Sequence, residues 1–452
     1  MDCGLRFNWL RDEEGAITLL SLFMFLTALV LGGLAVDSNK VISERTRLQA
    51  AADSAAHAAL YTREKDGSEA AATKAVETVS GMLSMNKFGS SALLTTDVSF
   101  GEWDKSELTF REDSDSDSAV RVYAMMKEER NNASRNLLLG LIGRDTFDIA
   151  VESVYSTYFP GCFTEGMVAE GTVDVRSNNS FTSGFCIHSN EYVSMNQGNY
   201  FEAGTVVSMP NIEDINIPAS GFEKNDGLQT ALRDGKYRLR LLNQLPEIID
   251  SFWNAEAEHL PQYVSSNYYH EVDLKEYPGL PPGEQEPKGN AQSLSPYHFM
   301  RNAVNRMSCP GSGKMTMDAG LYQQIVFVTN CELKFANGVV FEDAVIATTN
   351  KATTSFNSPQ GLQIGRNDHC ADGGGATLMT LGGFKAASSL SLHNGQILAL
   401  GDIQFSANAG GVNGASLVSN GRIIGTSNMD MGYCSNSGME NAYRAPYFRV
   451  VK

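Results

Sequence analysis

The chain has 452 residues, enough for two or three domains, and a formal net charge of −17 from 35 Lys+Arg against 52 Asp+Glu. This acidic balance repels a phosphate backbone, so nucleic acid is excluded as an expected partner. A composition of 42% hydrophobic and 19% charged residues excludes wholesale disorder and predicts folded domains.

One apolar run lies near the N-terminus. Residues 16–36 carry no charge, and a helix of about 20 apolar residues spans a bilayer. A cleaved signal peptide would have a shorter apolar run of about 7–15 residues after a positive start, whereas Asp12, Glu13 and Glu14 precede this one. We therefore expect an uncleaved single-pass anchor with residues 1–15 as a cytoplasmic tail.

Cysteine usage bears on the orientation, for which the Lys and Arg residues that flank the span are indecisive. Cys3 precedes the apolar run, and an even number follows it: Cys162, Cys186, Cys309, Cys331, Cys370 and Cys434. Neighbours in sequence suggest the disulfides Cys162–Cys186, Cys309–Cys331 and Cys370–Cys434, although other connectivities and reduced thiols stay open. A thiolate metal site is less favoured, because no CxxC pair is present. We expect the N-terminus to lie in the cytoplasm and the large C-terminal part to lie across the membrane in an oxidising compartment.

Residues 37–160 are predicted to form an α+β unit on the membrane helix. The helix is expected to continue to about Tyr61 with small residues at helical spacing, which permits close approach of another helix or of a sheet; Ala is also simply the best helix former. The candidates for packing a partner, including a second copy of the chain, are Asp37, Leu48, Ala51 and Ala55.

The rest of this unit alternates between helix and strand signals. We predict a second helix over residues 68–87, strands over VSFGEWD, ELTFRED, AVRVYAMMKE and DTFDIAVESVYS, and an acidic loop over residues 113–118. The segment SRNLLLGLIG, residues 134–143, is predicted to be a short apolar helix.

These segments resemble one known family. RDEEGAITLL followed by GLAVDSNKVISERTRLQAAADSAAHAAL, from Arg11 to Leu60, is similar to the TadE/TadG-like proteins of Tad (tight-adherence, Flp) pilus systems, as are VSFGEWD, AVRV and LLLGLIGRDTFDIAVESV. The resemblance covers the N-terminal third. It implies a pilus-assembly protein anchored in the inner membrane, with other Tad assembly proteins as partners.

The chain departs from the family pattern at two points, and the first of them favours a permanently anchored, TadG-like protein. Pseudopilins of the TadE type carry a Glu five residues after the Gly at which a peptidase cuts, whereas Leu20 holds that position after Gly15. Many TadG-like proteins also resemble von Willebrand A domains with a metal-binding DxSxS, and the acidic run Asp113–Asp115–Asp117 lacks both the serines and the Gly and Glu of a calcium loop.

Residues 161–452 change to short β-rich pieces punctuated by Asn, Gly and Ser. Strands of three to five residues at close intervals favour a parallel β-helix, since each coil must bury its face on its neighbour. The recurring Asn-Gly pairs would also suit hairpins, so a β-sandwich is the alternative. A helical insertion and loop over about 225–305 interrupts this domain.

Catalytic motifs are scarce. GSGKM, residues 311–315, resembles a phosphate loop but has Ser308 and Met315 at two positions where the motif needs Gly and Ser or Thr. His369 beside Asp368 and Cys370, and His393 with Asp402 and Arg422, could form a sugar-cleaving site only if their side chains converge. We predict no enzyme activity, no cofactor and no metal.

Two functions remain. The first is a structural component that presents a periplasmic domain to a Tad pilus machine. The alternative is an envelope-attached module that binds polysaccharide or peptidoglycan on its solenoid.

Overall fold

The computed structural model describes residues 14–83, 91–254, 256–265, 269–286, 292–311, 313–435 and 437–452. Cys3 and nearly all of the predicted cytoplasmic tail lie outside these residues. The chain divides into two compact units: Met1–Tyr158 with Pro446–Lys452, and Phe159–Ala445.

The first unit is built on one long helix, α1 (Glu14–Met82), interrupted at Gly67, whose φ of 81° is non-helical. This interruption separates the two helices that the sequence predicts. Within the described residues, one helix is long and apolar enough to cross a membrane, and almost none of its apolar stretch is buried.

A five-stranded antiparallel sheet packs on the second half of this helix, and its strand order is β2-β1-β3-β6-β29. The strands of this unit are β1 (Val98–Asp104), β2 (Thr109–Glu112), β3 (Ala119–Met126), β4 (Ser134–Arg135), β5 (Thr146–Phe147), β6 (Ile149–Tyr158) and β29 (Tyr447–Val450). Alternate residues of β3, including Val120 and Val122, turn their apolar side chains toward α1, as the period of two along a strand requires.

Two sequence expectations for this unit are corrected. Residues 134–143 form the strand β4 and the 3₁₀-helix Leu139–Ile142 rather than an α-helix, because Gly140 and Gly143 weaken helix propensity and backbone N–H groups bind elsewhere. The last residues of the chain, predicted as part of the β-rich domain, instead form β29. This strand pairs with β6, whose backbone groups would otherwise be left open at the sheet edge.

The second unit is a parallel β-solenoid over residues 166–432, which confirms the predicted β-helix over the sandwich. Its strands are β7 (Gly166–Ala169), β8 (Val173–Val175), β9 (Ser180–Phe181), β10 (Cys186–Ser189), β11 (Val193–Met195), β12 (Tyr200–Phe201), β13 (Val206–Met209), β14 (Leu232–Asp234), β15 (Tyr269–Glu271), β16 (Ser293–Leu294), β17 (Ala303–Met307), β18 (Lys314–Met317), β19 (Gly320–Thr329), β20 (Glu332–Phe335), β21 (Val339–Thr348), β22 (Phe356–Ser358), β23 (Gln363–Ile364), β24 (Ala376–Thr380), β25 (Phe384–Ala399), β26 (Ile403–Ser419), β27 (Ile423–Ile424) and β28 (Asp430–Gly432).

The coils are not stacked in chain order. The first segment, residues 166–234, winds from β7 to β14, and the second segment, residues 269–432, winds from β15 to β28. The last coil of the second segment then pairs with the first coil of the first segment: β26 with β7, β27 with β8 and β28 with β9, all parallel. The chain therefore enters and leaves the solenoid at neighbouring coils in its interior.

A ladder of buried asparagines crosses this junction. The Asn199 side chain accepts from Asn179 Nδ2 at 3.0 Å and donates to Asn225 at 2.9 Å, while Asn179 Oδ1 accepts from the backbone N–H of Met429 at 3.0 Å. Each side-chain amide thus hydrogen-bonds to a turn of the neighbouring coil. A buried amide needs such partners for both its donor and its acceptor.

The connection between the segments contains the crossover helix (Arg240–Trp253), which lies in the predicted insertion and runs through Pro246. Its apolar face is buried, including Leu245 and Phe252, and packs against β19, β24 and β25 of the second segment. The loop part of the predicted insertion contributes β15 and β16, since even very short strands are stabilised by parallel pairing with the next coil.

Candidate functional site at the base of the long helix

The clearest built arrangement of polar groups in the first unit surrounds Asp37, where the apolar part of α1 ends. Its carboxylate is buried and accepts three backbone N–H groups, from Leu137 at 2.8 Å, Leu138 at 3.0 Å and Leu139 at 2.7 Å. An ionised carboxylate makes stronger hydrogen bonds than a neutral acceptor, so this contact ties residues 137–139 to the helix.

Two more residues on the same face of α1 complete the contact. A Cβ atom built at Gly33 would lie 2.9 Å from the Cβ of Leu138, so only glycine leaves room for this side chain. Lys40 Nζ donates to the backbone carbonyl of Arg135. Positions 33, 37 and 40 share one helix face because they are spaced by four and three residues. We name this contact between α1 and residues 135–139 the latch.

The other predicted partner-packing residues are occupied within the chain. Leu48, Ala51 and Ala55 have no exposed surface and belong to the core that α1 forms with β3 and β6. Small side chains permit this close approach of a sheet to the helix. The face that the sequence suggests for a partner or a second copy is covered by the chain's own sheet.

The cysteine prediction is confirmed for the second unit. Cys162 pairs with Cys186, Cys309 with Cys331, and Cys370 with Cys434. The first disulfide joins adjacent coils at the start of the solenoid, where Gly166 is paired with Cys186.

The two imagined catalytic constellations are rearranged in the structure. Asp402 binds Arg422, with 2.9 Å between Oδ2 and Nη2, at the surface. His393 is buried, with Asp368 and His369 as its titratable neighbours. Burial lowers its pKa, and the carboxylate of Asp368 partly opposes that shift. Asp402 and Arg422 therefore stay together as the sequence suggested, whereas His393 lies with Asp368 and His369 instead.

The carboxylates near this histidine form ion pairs with one arginine. Arg366 lies 3.2 Å from Glu342, 3.5 Å from Asp343 and 3.7 Å from Asp368. These pairs hold the pKa of the Arg366 guanidinium above its usual value. Among the described residues, no group of three His, Cys, Asp or Glu side chains is placed to hold a metal ion. In the GSGKM segment, Ser312 lies outside the described residues and Lys314 pairs with Glu332 at 3.0 Å.

The solenoid carries an open groove of about 500 Å³ across consecutive coils. Its lining combines two cations, Arg176 and Lys385, with the polar side chains of Gln404, Ser406 and Thr426. Such a surface can donate hydrogen bonds to hydroxyl and carboxylate oxygens.

Sequence reasoning selected Asp37 but missed Gly33 and the backbone of residues 137–139. The contact joins two segments that are far apart in the chain, GLAVD and LLLGLIG. Neither segment has a periodicity that identifies the other as its partner, so the sequence carries no signal for it.

The comparisons with known proteins agree with the division into two units. No curated protein and no solved structure matches the chain. The family described as "Putative Flp pilus-assembly TadE/G-like" matches residues 15–72, the part of α1 that carries the latch aspartate. The family described as "Domain of unknown function (DUF7867)" matches residues 166–435, which is more than half of the chain and includes the whole solenoid. The chain therefore belongs to the DUF7867 family and joins its solenoid to an N-terminal portion of the TadE/G-like type.

Proposed function

We propose that this protein is a structural component of a Tad pilus assembly system, anchored in the inner membrane by α1 with its N-terminus in the cytoplasm. The observation that carries the proposal is the TadE/G-like match over residues 15–72, in which the motif aspartate has a defined structural task. The solenoid would then face the periplasm and act as a rigid platform for other assembly proteins.

The three disulfides support the periplasmic placement, because such bonds persist in oxidising compartments. A structural rather than catalytic task is supported by the ion pairs of Asp402 and Arg366, which engage the charges that a sugar-cleaving site would need. A reporter that is active only in the periplasm, fused by a linker after Lys452, should be active. Activity of a cytoplasmic reporter alone would contradict the orientation.

Deletion of the gene tests the pilus role directly. We expect loss of surface pili and of adhesion, restored by the wild-type chain and by Asp53→Asn, a change on the same helix away from the latch. Asp37→Ala should restore neither. Normal pili in the deletion strain would refute the assembly proposal.

A second candidate function, binding of an envelope polysaccharide, is favoured by the groove beside Arg176 and Lys385. The second unit should bind isolated peptidoglycan or an acidic polysaccharide, and Lys385→Glu should weaken that binding. Lys351→Glu changes an exposed lysine outside the groove lining and is the matched control. Equal binding by the two variants would exclude the groove.

A further inference from the structure

The loop held by the latch exposes large apolar side chains. Leu137 is 65% and Ile142 is 58% exposed, although both belong to a well-anchored segment. Below them the loop is closed by the β4–β5 pair and by Asn136, whose backbone N–H donates to Asp145 at 2.8 Å and whose side chain donates to the Arg144 carbonyl at 2.7 Å. Their exposure is therefore a fixed feature of the fold.

The position of this loop along α1 suggests what covers it. Residues 16–36 rise roughly 30 Å as a helix, which matches the thickness of a hydrocarbon core. Gly33 and Asp37 lie at the end of that stretch, so the latch holds the loop at the level where hydrocarbon gives way to headgroups. The neighbouring helix surface is also apolar and exposed, at Leu34 and Val36.

Basic residues surround the same level. Arg135 and Arg144 are exposed at the two ends of the loop, and Lys40 follows the latch aspartate on α1. Apolar side chains between cations are the pattern of a segment that inserts shallowly into an anionic lipid surface, where each cation near the surface is attracted to lipid phosphates.

We propose that residues 137–142 form a membrane-embedded loop, with Leu137 and Ile142 inserted beside α1 among the upper acyl chains and Arg135 and Arg144 on lipid phosphates. The latch then fixes the first unit at a set height on the bilayer surface. This inference rests on the membrane anchoring in the proposed function and adds a second membrane contact to it.

Site-specific labelling of the full chain tests the loop. In a Cys3→Ser background, with the other six cysteines in disulfides, single cysteines are introduced as Leu137→Cys, Ile142→Cys, Leu26→Cys and Leu108→Cys and labelled with the environment-sensitive fluorophore NBD. Leu108 is a matched control, since it is 69% exposed at the turn between β1 and β2. The protein is reconstituted in vesicles of phosphatidylethanolamine and phosphatidylglycerol that carry a nitroxide on the acyl chain.

We expect labels at 137, 142 and 26 to shift to the blue and to lose most of their fluorescence to the nitroxide lipid, whereas the label at 108 keeps its emission. A nitroxide high on the chain should quench 137 and 142 best, and one deep on the chain should quench 26 best. Trypsin resistance of the first unit confirms that each labelled variant is folded.

The outcomes separate the two ideas. Quenching at 26 with none at 137 and 142 overturns the loop proposal and leaves the anchor intact. Absence of quenching at 26 refutes the anchor itself. If dilution with unlabelled protein, rather than the nitroxide lipid, changes the signals at 137 and 142, a second copy covers the loop and the lipid proposal is overturned.

Discussion

At the scale of single residues, Asp37 shows why an acidic side chain follows the apolar segment directly. Three consecutive backbone N–H groups converge on its two oxygens, which only an ionised carboxylate can accept with full strength. Its task is thus to hold another part of the same chain.

We expect Asp37→Asn to loosen the loop. The amide keeps only one acceptor oxygen, and its two N–H donors would face the three backbone N–H donors of residues 137–139. Hydrogen exchange at the amides of residues 137–139 should become much faster than in the wild type. Asp53→Asn, which alters an aspartate on the same helix, should leave exchange at these amides unchanged. Unaltered exchange in Asp37→Asn would mean that the latch contributes nothing to the order of the loop.

A second residue-scale prediction concerns His188, which is fully buried between Ser208 at 2.7 Å and Asn190 at 2.9 Å. Burial lowers its pKa below the ordinary 6.5, although Asn190 and Glu170 oppose that shift. Below pH 6.5 the unfolded chain therefore binds a proton that the folded chain refuses, so the free energy of unfolding falls as the pH drops, by about 1.4 kcal/mol per unit of pKa difference.

Denaturant titrations of the solenoid between neutral and mildly acidic pH measure this effect. His188→Gln should flatten the decline in stability, because the neutral amide does not titrate. A slope that His188→Gln leaves unchanged would assign the acid sensitivity to other groups, with His393 the next to examine.

At the scale of elements, two adjacent glycines separate helix propensity from packing. A Cβ at Gly32 meets nothing within 4 Å, whereas a Cβ at Gly33 meets Leu138 at 2.9 Å. We expect Gly32→Ala to be neutral or to favour the helix, and Gly33→Ala to displace the loop, since the contacted atom is next to the backbone and cannot rotate away. Protease cleavage within residues 136–144 should increase in Gly33→Ala alone.

The alanine face of α1 gives a comparable pair. Ala51 is buried against the sheet and Ala50 is exposed. Ala51→Leu should overpack this core and lower the free energy of unfolding of the first unit by about 1–3 kcal/mol, whereas Ala50→Leu should change it little. Chemical denaturation in detergent, followed by the fluorescence of Trp103 in β1 in chains with Trp9→Phe and Trp253→Phe, measures both. Equal stability of the two variants would contradict the packing of α1 on its own sheet.

Most elements of the first unit could be predicted because their patterns are local: α1 has a helical period, and β3 and β6 alternate. Residues 134–143 could not, since their conformation is set by Asp37, about 100 positions earlier in the chain. The same reason explains why Asp37 was identified as important without its partner.

At the scale of the whole chain, the solenoid could be predicted from its short strands, but the order of its coils could not. Every coil presents similar apolar rows to its neighbours, so nothing local indicates that β26 pairs with β7 about 250 positions away. Pairing along one face runs β14-β13-β10-β7-β26-β25-β24-β21-β19-β17-β15. At 4.8 Å a step the ends lie about 48 Å apart, and the segment containing the crossover helix spans that distance.

The pairing of β29 with β6 leads to a prediction about the first unit alone. Tyr158 and Tyr447 are directly opposite each other in this antiparallel pair, so the whole solenoid is inserted between two neighbouring residues of one sheet. Replacement of residues 159–446 by Asn-Gly should form a tight hairpin and leave the first unit folded. Protection of the β6 amides from hydrogen exchange measures this. A chain with the same replacement that also lacks residues 447–452 should lose part of that protection. Full exchange in both would show that the unit depends on the solenoid.

Entry and exit at neighbouring coils also bear on how such a chain could arise. An ordinary solenoid has its termini at opposite ends, and inserting one into a hairpin would force the two strands apart by its full length. Here the coil order brings both ends of the domain together, so the encoding DNA could be gained or lost as one cassette without disturbing the sheet that receives it. The two family matches do not overlap: one ends at residue 72, and the other begins at residue 166, after β6.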